Sequence, residues 1–201
     1  MGWLWHVLGL EGAGYRGRRT EERVARELAA IESEGVIMSF NDVLLNVNGK
    51  PSQMDHIVVS TRGIFVIETK NYLGLVFGRA SDRYLKHWVL WPCHRFYNPL
   101  RQNANHVKNL KRKFNWSPAI GATVMPLTVF SRRSIINIKG AETPILRPDK
   151  VAAYILSQPE RLSGDDVLQI SNEIKAENLT DDISRQWHID FVRRIADKSN
   201  R

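Results

Sequence analysis

The segment GIFVIETKNYLG, residues 63–74, decides most of what the sequence predicts about the fold of this chain. It starts as an apolar, β-branched run and ends with two charged side chains, Glu68 and Lys70. The segment before it, MDHIVVS at residues 54–60, has the same character, and only two residues separate the runs. Two such runs joined by a short turn predict a β-hairpin, with Gly63 able to supply a positive φ.

The turn also predicts which charged side chains meet. If Ser60 pairs with Gly63, then Asp55 lies directly opposite Glu68, with Cβ atoms about 4.5–5.5 Å apart. A bulge at Gly63 would shift this pairing by one residue, so the register is a hypothesis. Because successive side chains of a strand point to opposite faces, Glu68 and Lys70 share one face. Facing carboxylates repel each other unless a positive group lies between them. The hairpin therefore predicts either a divalent-cation site or a structural ion-pair cluster at a sheet edge.

The residue types in this cluster suit chemistry on a phosphate ester. Asp55 and Glu68 offer hard oxygen ligands for Mg²⁺ or Mn²⁺, and Mg²⁺ is usually held by one or two carboxylates, with water and phosphate completing its octahedron. A metal there would act as a Lewis acid and generate a hydroxide nucleophile. The Lys70 ammonium would steer the water or stabilise charge on the phosphorus centre.

The charge distribution favours a polyanionic partner. The 201-residue chain has a formal net charge of +8, and no acidic residue occurs between Asp82 and Glu142. Nucleic acid is the natural partner of such a basic segment, and a solvated basic face is the alternative. The residues expected to hold the phosphate backbone are Arg101, Lys108, Lys111, Arg112, Arg132 and Arg133.

Periodicity and turn residues predict the elements around the hairpin. Helices are predicted at residues 17–32, 98–114, 149–157, 163–176 and 180–196. Strands are predicted at residues 36–47, 73–80, 84–92 and 122–131, with a loop at 48–52. Pro126 in the last strand favours an edge or bulged position. This order predicts a mixed α/β fold, with a central mixed β-sheet flanked by helices and a helical C-terminal extension.

Composition and targeting signals limit the setting of the protein. With 43% apolar and 25% charged residues, the chain has the composition of one soluble domain. The single cysteine, Cys93, excludes an internal disulfide framework. The apolar start GWLWHVLGL lacks the features of a signal peptide and is far shorter than the ~20 residues that span a bilayer. We therefore expect no integral membrane span and a cytoplasmic location.

Three segments of the chain together resemble the nuclease-related domain (NERD) family, a branch of the PD-(D/E)xK restriction-endonuclease-like superfamily. They are GRRTEERVAREL, SQMDHIVVSTRGIFVIETKNYLG and YNPLRQNANHVKNL, and the resemblance covers about residues 14–131. The middle segment is far more restrictive than a bare E-x-K motif. The resemblance implies a restriction-endonuclease-like mixed sheet flanked by helices, and Mg²⁺-dependent cleavage of nucleic acid.

The resemblance also implies roles for individual residues. Asp55, Glu68 and Lys70 match the first acid, the second acid and the lysine of the superfamily signature. Glu21 matches an acid on the first helix that would complete the metal site. Gln102 matches the glutamine of the N-P-x-x-Q helix, which would contact phosphate or water near the site.

Two histidines flank these residues in the sequence. His56 follows Asp55 in the strand and points to the opposite face, which favours a structural hydrogen bond over catalysis. His106 lies four residues after Gln102 and shares its helical face. Phosphate contact and simple solvation both stay open for His106.

These observations predict a single nuclease domain with two appendages. We expect an apolar segment at residues 1–13, a nuclease core at 14–147, and a helical extension at 148–201 packed on the core. The expected function is hydrolysis of nucleic acid, DNA more than RNA, by a divalent-metal-dependent nuclease with little sequence specificity, because phosphate contacts carry no sequence information.

Two alternatives stay open. The first is a catalytically inactive nucleic-acid-binding module. The second is a membrane-linked or oligomeric adaptor that uses GWLWHVLGL and the last helix. Whether the protein forms a homo-oligomer stays open. In the last helix, Ile183, Trp187 and Phe191 recur every four residues, which predicts core packing rather than a partner groove.

Overall fold

Two mixed β-sheets flanked by helices form the part of the chain described by the computed structural model, which is residues 10–32, 35, 37–89 and 92–199. The predicted mixed α/β class with a helical C-terminal region is therefore confirmed. Most of the predicted apolar N-terminal segment, residues 1–9, lies outside the described residues.

The elements follow one another along the chain in the order predicted, with additional short ones. They are α1 (Leu10–Glu32), β1 (Met38–Val47), β2 (Lys50–Ser60), β3 (Gly63–Lys70), β4 (Gly74–Arg79), β5 (Tyr84–Trp88), β6 (His94–Tyr97), α2 (Pro99–Phe114), α3 (Pro118–Ala122), β7 (Val124–Phe130), β8 (Ser134–Lys139), β9 (Ile145–Leu146), a 3₁₀ turn (Pro148–Lys150), α4 (Val151–Ser157), α5 (Gly164–Glu177) and α6 (Asp182–Ser199).

The larger sheet has the strand order β1-β2-β3-β7-β9, and the smaller has the order β6-β5-β4-β8. Strands β1, β2 and β3 are antiparallel neighbours, whereas β7 runs parallel to β3. The smaller sheet is mixed in the same way, because β8 runs parallel to β4. Its strands are short and mostly half-exposed. Their apolar pattern in the sequence is therefore too weak to predict that they form a separate sheet.

The predicted hairpin is confirmed as β2–β3. Ser60 pairs with Gly63, and the antiparallel ladder continues as far as His56 and Ile67. Gly63 has a φ of +136°, and a Cβ added there would lie 2.8 Å from the carbonyl oxygen of Thr123. Glycine is required at this turn because any side chain would collide with the backbone of a neighbouring segment.

The predicted loop at residues 48–52 is wrong in its length. Asn48 and Gly49 alone connect β1 to β2, and both have positive φ, 52° and 73°. This is the Asn-Gly sequence that favours a two-residue type I′ hairpin. Strand β2 therefore begins at Lys50, and Pro51 and Ser52 are buried within it.

The position of Pro126 agrees with the edge location predicted for it, although β7 as a whole lies inside the sheet. Pro126 pairs with Val66 of β3 on one side. On the other side β9 pairs only with Thr128 and Val129. A proline is tolerated here because, among the described strands, β3 is the one that pairs with this part of β7.

Both faces of the larger sheet are covered by helices. On one face α1 packs through Val24 and Leu28 against Phe65 of β3. On the other face α2 and α5 pack through Leu110 and Ile170. Burial on both faces explains why the first half of β3 is continuously apolar, and it holds the charged end of this strand in a fixed position.

Helix α6 packs differently from the prediction. Ile183 is 84% exposed, and Val192 is 50% exposed. The expectation that Ile183 would join a core stripe is therefore wrong, whereas Trp187 and Phe191 are half-buried. The helix is held in part by a polar anchor, an ion pair between Arg185 and Asp42 with an N–O distance of 2.5 Å. No helix in the described part of the chain combines the length and apolar character that a membrane crossing requires.

Candidate active site

The ladder between β1 and β2 is interrupted at Asp42 and Asp55. Both residues are missing from the paired positions, although pairing continues on either side of them. Asp42 has a φ of 54°, which is uncommon for a residue other than glycine. The alternation of faces is also broken, because Met54 and Ile57, three positions apart, pack in the same apolar cluster. Such irregularities reorient side chains next to functional sites.

The Asp55 carboxylate is held by the residue between Glu68 and Lys70. Asp55 Oδ2 accepts hydrogen bonds from the Thr69 backbone N at 2.7 Å and from Thr69 Oγ1 at 2.9 Å. Within the described residues no donor reaches Oδ1. The predicted direct pairing of Asp55 with Glu68 is wrong, because the ladder stops one residue earlier and the Asp55 carboxylate bonds to Thr69. The charge of Glu68 nevertheless lies close by and acts on Asp55.

The predicted common face of Glu68 and Lys70 is confirmed, because Lys70 Nζ donates a hydrogen bond to Glu68 Oε1. His106 of α2 reaches the same carboxylate from the other side, with Nε2 at 3.3 Å from Oε2. Glu68 is only 1% exposed. His106 therefore contacts a buried carboxylate, which is neither of the two roles left open for it, phosphate contact and simple solvation.

The three ionisable groups perturb one another strongly. Burial and the neighbouring charge of Glu68 raise the pKa of Asp55 to about 7. Burial alone would raise the pKa of Glu68, but the Lys70 ammonium and His106 bring it below its usual range. Burial opposes the charged form of Lys70, yet Glu68 and Asp55 raise its pKa above the ordinary value. The cluster therefore contains a firm ion pair and, beside it, a carboxyl group whose charge is not fully compensated.

Asp55 opens into a cleft of about 480 Å³. Glu21 of α1 and Gln102 of α2 line the same cleft, so three of the sequence-predicted site residues meet there. His106 lies in the wall between this cleft and Glu68. Residues from α1, α2 and β2 therefore meet at the open end of the β2–β3 hairpin, opposite its turn.

The donor set fits a hard divalent cation. Mg²⁺ needs only one or two protein carboxylates, and the open Oδ1 of Asp55 together with nearby Glu68 offers that number. A cation here would also relieve the unfavourable charge that raises the pKa of Asp55. In the described residues, no group of three His, Cys, Asp or Glu side chains is placed to hold a metal. The role of Glu21 as a third ligand stays a prediction.

Helix α2 presents two polar surfaces with different characters. The residues that line the cleft recur at helical spacing and are uncharged or titratable: Gln102, Asn105, His106 and Asn109. Arg101, Lys108 and Arg112 lie roughly 90° further around the helix, and all three are exposed. The predicted backbone-binding residues of α2 therefore flank the cleft instead of lining it, and Lys111 lies further away still.

Asn98 and Asn103 hold α2 in its position over the sheet. Asn98 caps the helix by accepting a hydrogen bond from the backbone N of Leu100 at 3.0 Å. Asn103 is buried, and its Nδ2 donates to the carbonyl oxygens of Val66 at 2.9 Å and Leu127 at 2.8 Å. These carbonyls belong to adjacent strands, so one amide joins α2 to both β3 and β7.

Replacing Asn103 with Ala is expected to lower the free energy of unfolding by about 2–3 kcal/mol, because two buried hydrogen bonds are lost and two carbonyls lose a partner. Urea unfolding followed by circular dichroism measures this change. Asn105→Ala is the matched control, since Asn105 is an exposed residue of the same helix. Equal stability of the two variants would contradict the clamping role.

Three further predicted residues, His56, Arg132 and Arg133, lie outside the cleft. His56 has the structural hydrogen bond predicted for it, because its Nδ1 lies 2.7 Å from Asn41 Oδ1. Burial lowers the pKa of its side chain to about 4. Arg132 and Arg133 line a second, smaller groove. Arg132 also forms an ion pair with Asp149, with Nε and Oδ1 3.0 Å apart.

Several residues of the cleft were missed by the sequence reasoning. His188, Phe191 and Val192 of α6 line it, more than a hundred residues after Asp55. No local pattern indicates such a contact. Thr69, by contrast, had a usable signal, because it lies between the two charged residues of E-x-K and has a side chain that can bond to a carboxylate.

More than half of the chain matches the model of a known protein family. A model of the nuclease-related domain (NERD) matches residues 16–131 of the chain, a range that contains all five residues proposed for catalysis. An uncharacterized protein of Bacillus anthracis is 25% identical over 180 residues, which is 89% of this chain and 84% of that protein. The crystal structure of a protein of unknown function, 10% identical, covers 88% of this chain and 98% of its own, with a TM-score of 0.30. The chain belongs to the nuclease-related domain family, whose members have a PD-(D/E)xK-like nuclease fold.

Proposed function

We propose that this protein is a divalent-metal-dependent nuclease that hydrolyses phosphodiester bonds of nucleic acid, DNA in preference to RNA, with little sequence specificity. The observation that carries the proposal is that Asp55 lines an open cleft and lies next to the buried ion pair of Glu68 and Lys70. Two carboxylates and an ammonium in this arrangement suit the cleavage of a phosphate ester better than a purely structural role. The preference for DNA follows from the resemblance to restriction endonucleases.

Asp55 and Glu68 would hold the cation, and the chemistry it supplies when bound is Lewis-acid stabilisation of the phosphate and acidification of water. Thr69 orients Asp55 through two hydrogen bonds to one oxygen, which leaves the other oxygen available to a ligand. Lys70 and His106 keep Glu68 ionised despite its burial. The protein thus keeps Glu68 ionised and Asp55 oriented, whereas Asp55, with a pKa of about 7, releases its proton fully only above neutral pH or when a cation binds.

Lys70 would act electrostatically and not as a proton acceptor. The nearby carboxylates raise its pKa, so the side chain stays an ammonium at neutral pH. A fixed positive charge beside the reacting phosphate stabilises the negative charge that develops in the transition state. Gln102, whose neutral amide lines the cleft, would position the phosphate or the attacking water.

The simplest test is cleavage of supercoiled plasmid, linear duplex, single-stranded DNA and RNA in Mg²⁺, in Mn²⁺ and in chelator. We expect cleavage of DNA that requires the metal. Glu21→Gln is expected to slow it at least tenfold, whereas Glu22→Gln is the matched control, because Glu22 is exposed on the same helix and does not line the cleft. Failure to cut any substrate with either metal would overturn the proposal.

A nucleic-acid-binding module without turnover is the second candidate. It is favoured by one observation, that both oxygens of Glu68 are already contacted by Lys70 and His106. If these contacts persist in the presence of metal, Glu68 cannot serve as a ligand. Shifted but intact DNA in a gel, with and without Mg²⁺, would support this candidate over the nuclease.

A further inference from the structure

A second groove, of about 140 Å³, is lined by arginines from two distant segments. Arg19 and Arg23 come from α1, and Arg132 and Arg133 come from the turn between β7 and β8. No Asp or Glu side chain of the described residues lines this space. We call it the arginine groove.

The arginine groove adjoins the active-site cleft. Thr20 lines the groove and is followed directly by Glu21, which lines the cleft. Asn71 lines the groove and directly follows Lys70. Neighbouring Cα atoms are about 3.8 Å apart, so on the α1 side a single residue step separates the two spaces. On the β3 side the groove begins next to Lys70, which does not itself line the cleft. A chain molecule bound in the cleft can therefore continue into the groove.

Most of the positive charge in the groove has no ion-pair partner among the described residues. Arg132 pairs with Asp149. No ion pair within 4.0 Å links Arg19, Arg23 or Arg133 to a carboxylate in the described part of the chain, and all three are exposed. Positive side chains that face one another without a counter-charge attract an anion.

The turn that carries two of these arginines is held rigidly against the end of β3. Arg147 donates to the carbonyl oxygens of Ser131 and Ser134, the latter at 2.6 Å. The hydroxyls of the same two serines donate to the carbonyl oxygen of Tyr72, at 3.1 and 2.6 Å. The backbone N of Ser131 donates to the carbonyl oxygen of Lys70 at 2.9 Å. The position of the turn is thus coupled to the end of β3 by one bond to Lys70, the last residue of the strand, and by two bonds to Tyr72 just beyond it.

We propose that the arginine groove binds the phosphate backbone of the nucleic acid substrate on one side of the bond that is cut. The proposal rests on the proposed function for the identity of the substrate. Guanidinium groups bind phosphate oxygens in a bidentate manner, and Arg19 and Arg23, four residues apart, share one face of α1. The groove lies beside the catalytic strand, whereas Arg101, Lys108 and Arg112 lie on α2, so two separate surfaces hold the strand.

The test measures binding without turnover. Fluorescence anisotropy of labelled single-stranded and duplex oligonucleotides is recorded in chelator over a series of salt concentrations. For the variant Arg19→Gln/Arg23→Gln we expect at least a tenfold weaker affinity for single strands. We also expect the slope of log K against log salt to fall by about 1.4, or about 0.7 for each lost phosphate contact. Arg133→Gln, from the opposite wall, is expected to lower the slope by about 0.7.

The matched control is Arg161→Gln/Lys175→Gln, which removes the same charge from exposed positions. Arg161 lies beside the β2–β3 turn, where its backbone N donates to Thr61, at the opposite end of β3 from Lys70. Equal weakening by both double variants would show that only net charge matters and would overturn the groove. Unchanged binding by the Arg19/Arg23 variant would do the same even if the protein cuts DNA. Weakened binding in a protein that never cuts would support the groove and refute the nuclease.

Discussion

Replacing Asp55 with Asn is expected to abolish cleavage and at the same time to stabilise the metal-free protein at pH 8. The loss of activity follows from the loss of an anionic oxygen ligand, which removes several kcal/mol of transition-state stabilisation, about 10³-fold in rate. The fold is preserved because the Asn Oδ1 can still accept the two hydrogen bonds from Thr69 that Asp55 Oδ2 accepts.

The gain in stability follows from the pKa of Asp55. Burial raises the folded-state pKa to about 7 from an ordinary value of 3.8, so below pH 4 the group is protonated in both states and costs nothing. As pH rises from about 4 to 7, the unfolded chain loses this proton while the folded chain retains it, and stability falls. Above pH 7 the free energy of unfolding is lowered by the full amount, about 2 kcal/mol for a group in partial contact with cleft water.

Differential scanning fluorimetry at pH 8 in chelator measures this effect. We expect Asp55→Asn to melt about 5 °C above the wild type, and Mg²⁺ to raise the melting temperature of the wild type only. Glu142→Gln removes an exposed acid and is the control for net charge. A variant that cuts DNA normally, or one that melts below the wild type in chelator, would contradict the role given to Asp55.

Replacing Lys70 with Met is expected to cause the largest loss of stability among single substitutions in the site. Glu68 has a side chain that is only 2% exposed, and removal of its ammonium partner leaves a buried carboxylate without full compensation. Such a change typically costs about 3–5 kcal/mol. We also expect cleavage to fall below detection, because the positive charge beside the phosphate is lost.

The chain contains a closely matched control for this prediction. Lys113 is 21% exposed, almost the same as the 22% of Lys70, but its partner Glu177 is 49% exposed. Lys113→Met is therefore expected to cost at most about 1 kcal/mol. Urea unfolding at pH 8 compares the two, and equal losses would show that the burial of Glu68 does not control the energy of its ion pair.

The effect of Lys70→Met also has a pH dependence with a definite sign. Without Lys70, burial keeps the folded-state pKa of Glu68 above its unfolded value, so the loss of stability is present above about pH 4.5 and disappears below it. The double variant Glu68→Gln/Lys70→Met removes both charges and is expected to recover most of the stability at pH 8.

Local sequence patterns predicted most of the framework of the site. The β-branched runs and Gly63 specified the hairpin and its pairing, because turn chemistry and strand alternation act between neighbouring residues. The Asn98-Pro99 start of α2 was recognisable for the same reason. A prediction was wrong where such a local rule is interrupted. At Asp55 the ladder has ended, and the carboxylate bonds to Thr69 instead of pairing with Glu68.

Patterns within single elements were sufficient to predict the common face of Glu68 and Lys70, the position of Asp55 on the preceding strand and the fold class. Three features became visible only in the folded chain: His106 contacts Glu68, α6 borders the cleft, and arginines from α1 meet those of the β7–β8 turn. These juxtapositions join segments tens to more than a hundred residues apart. They depend on how helices pack across both faces of a sheet, which the spacing of residues along one element does not specify.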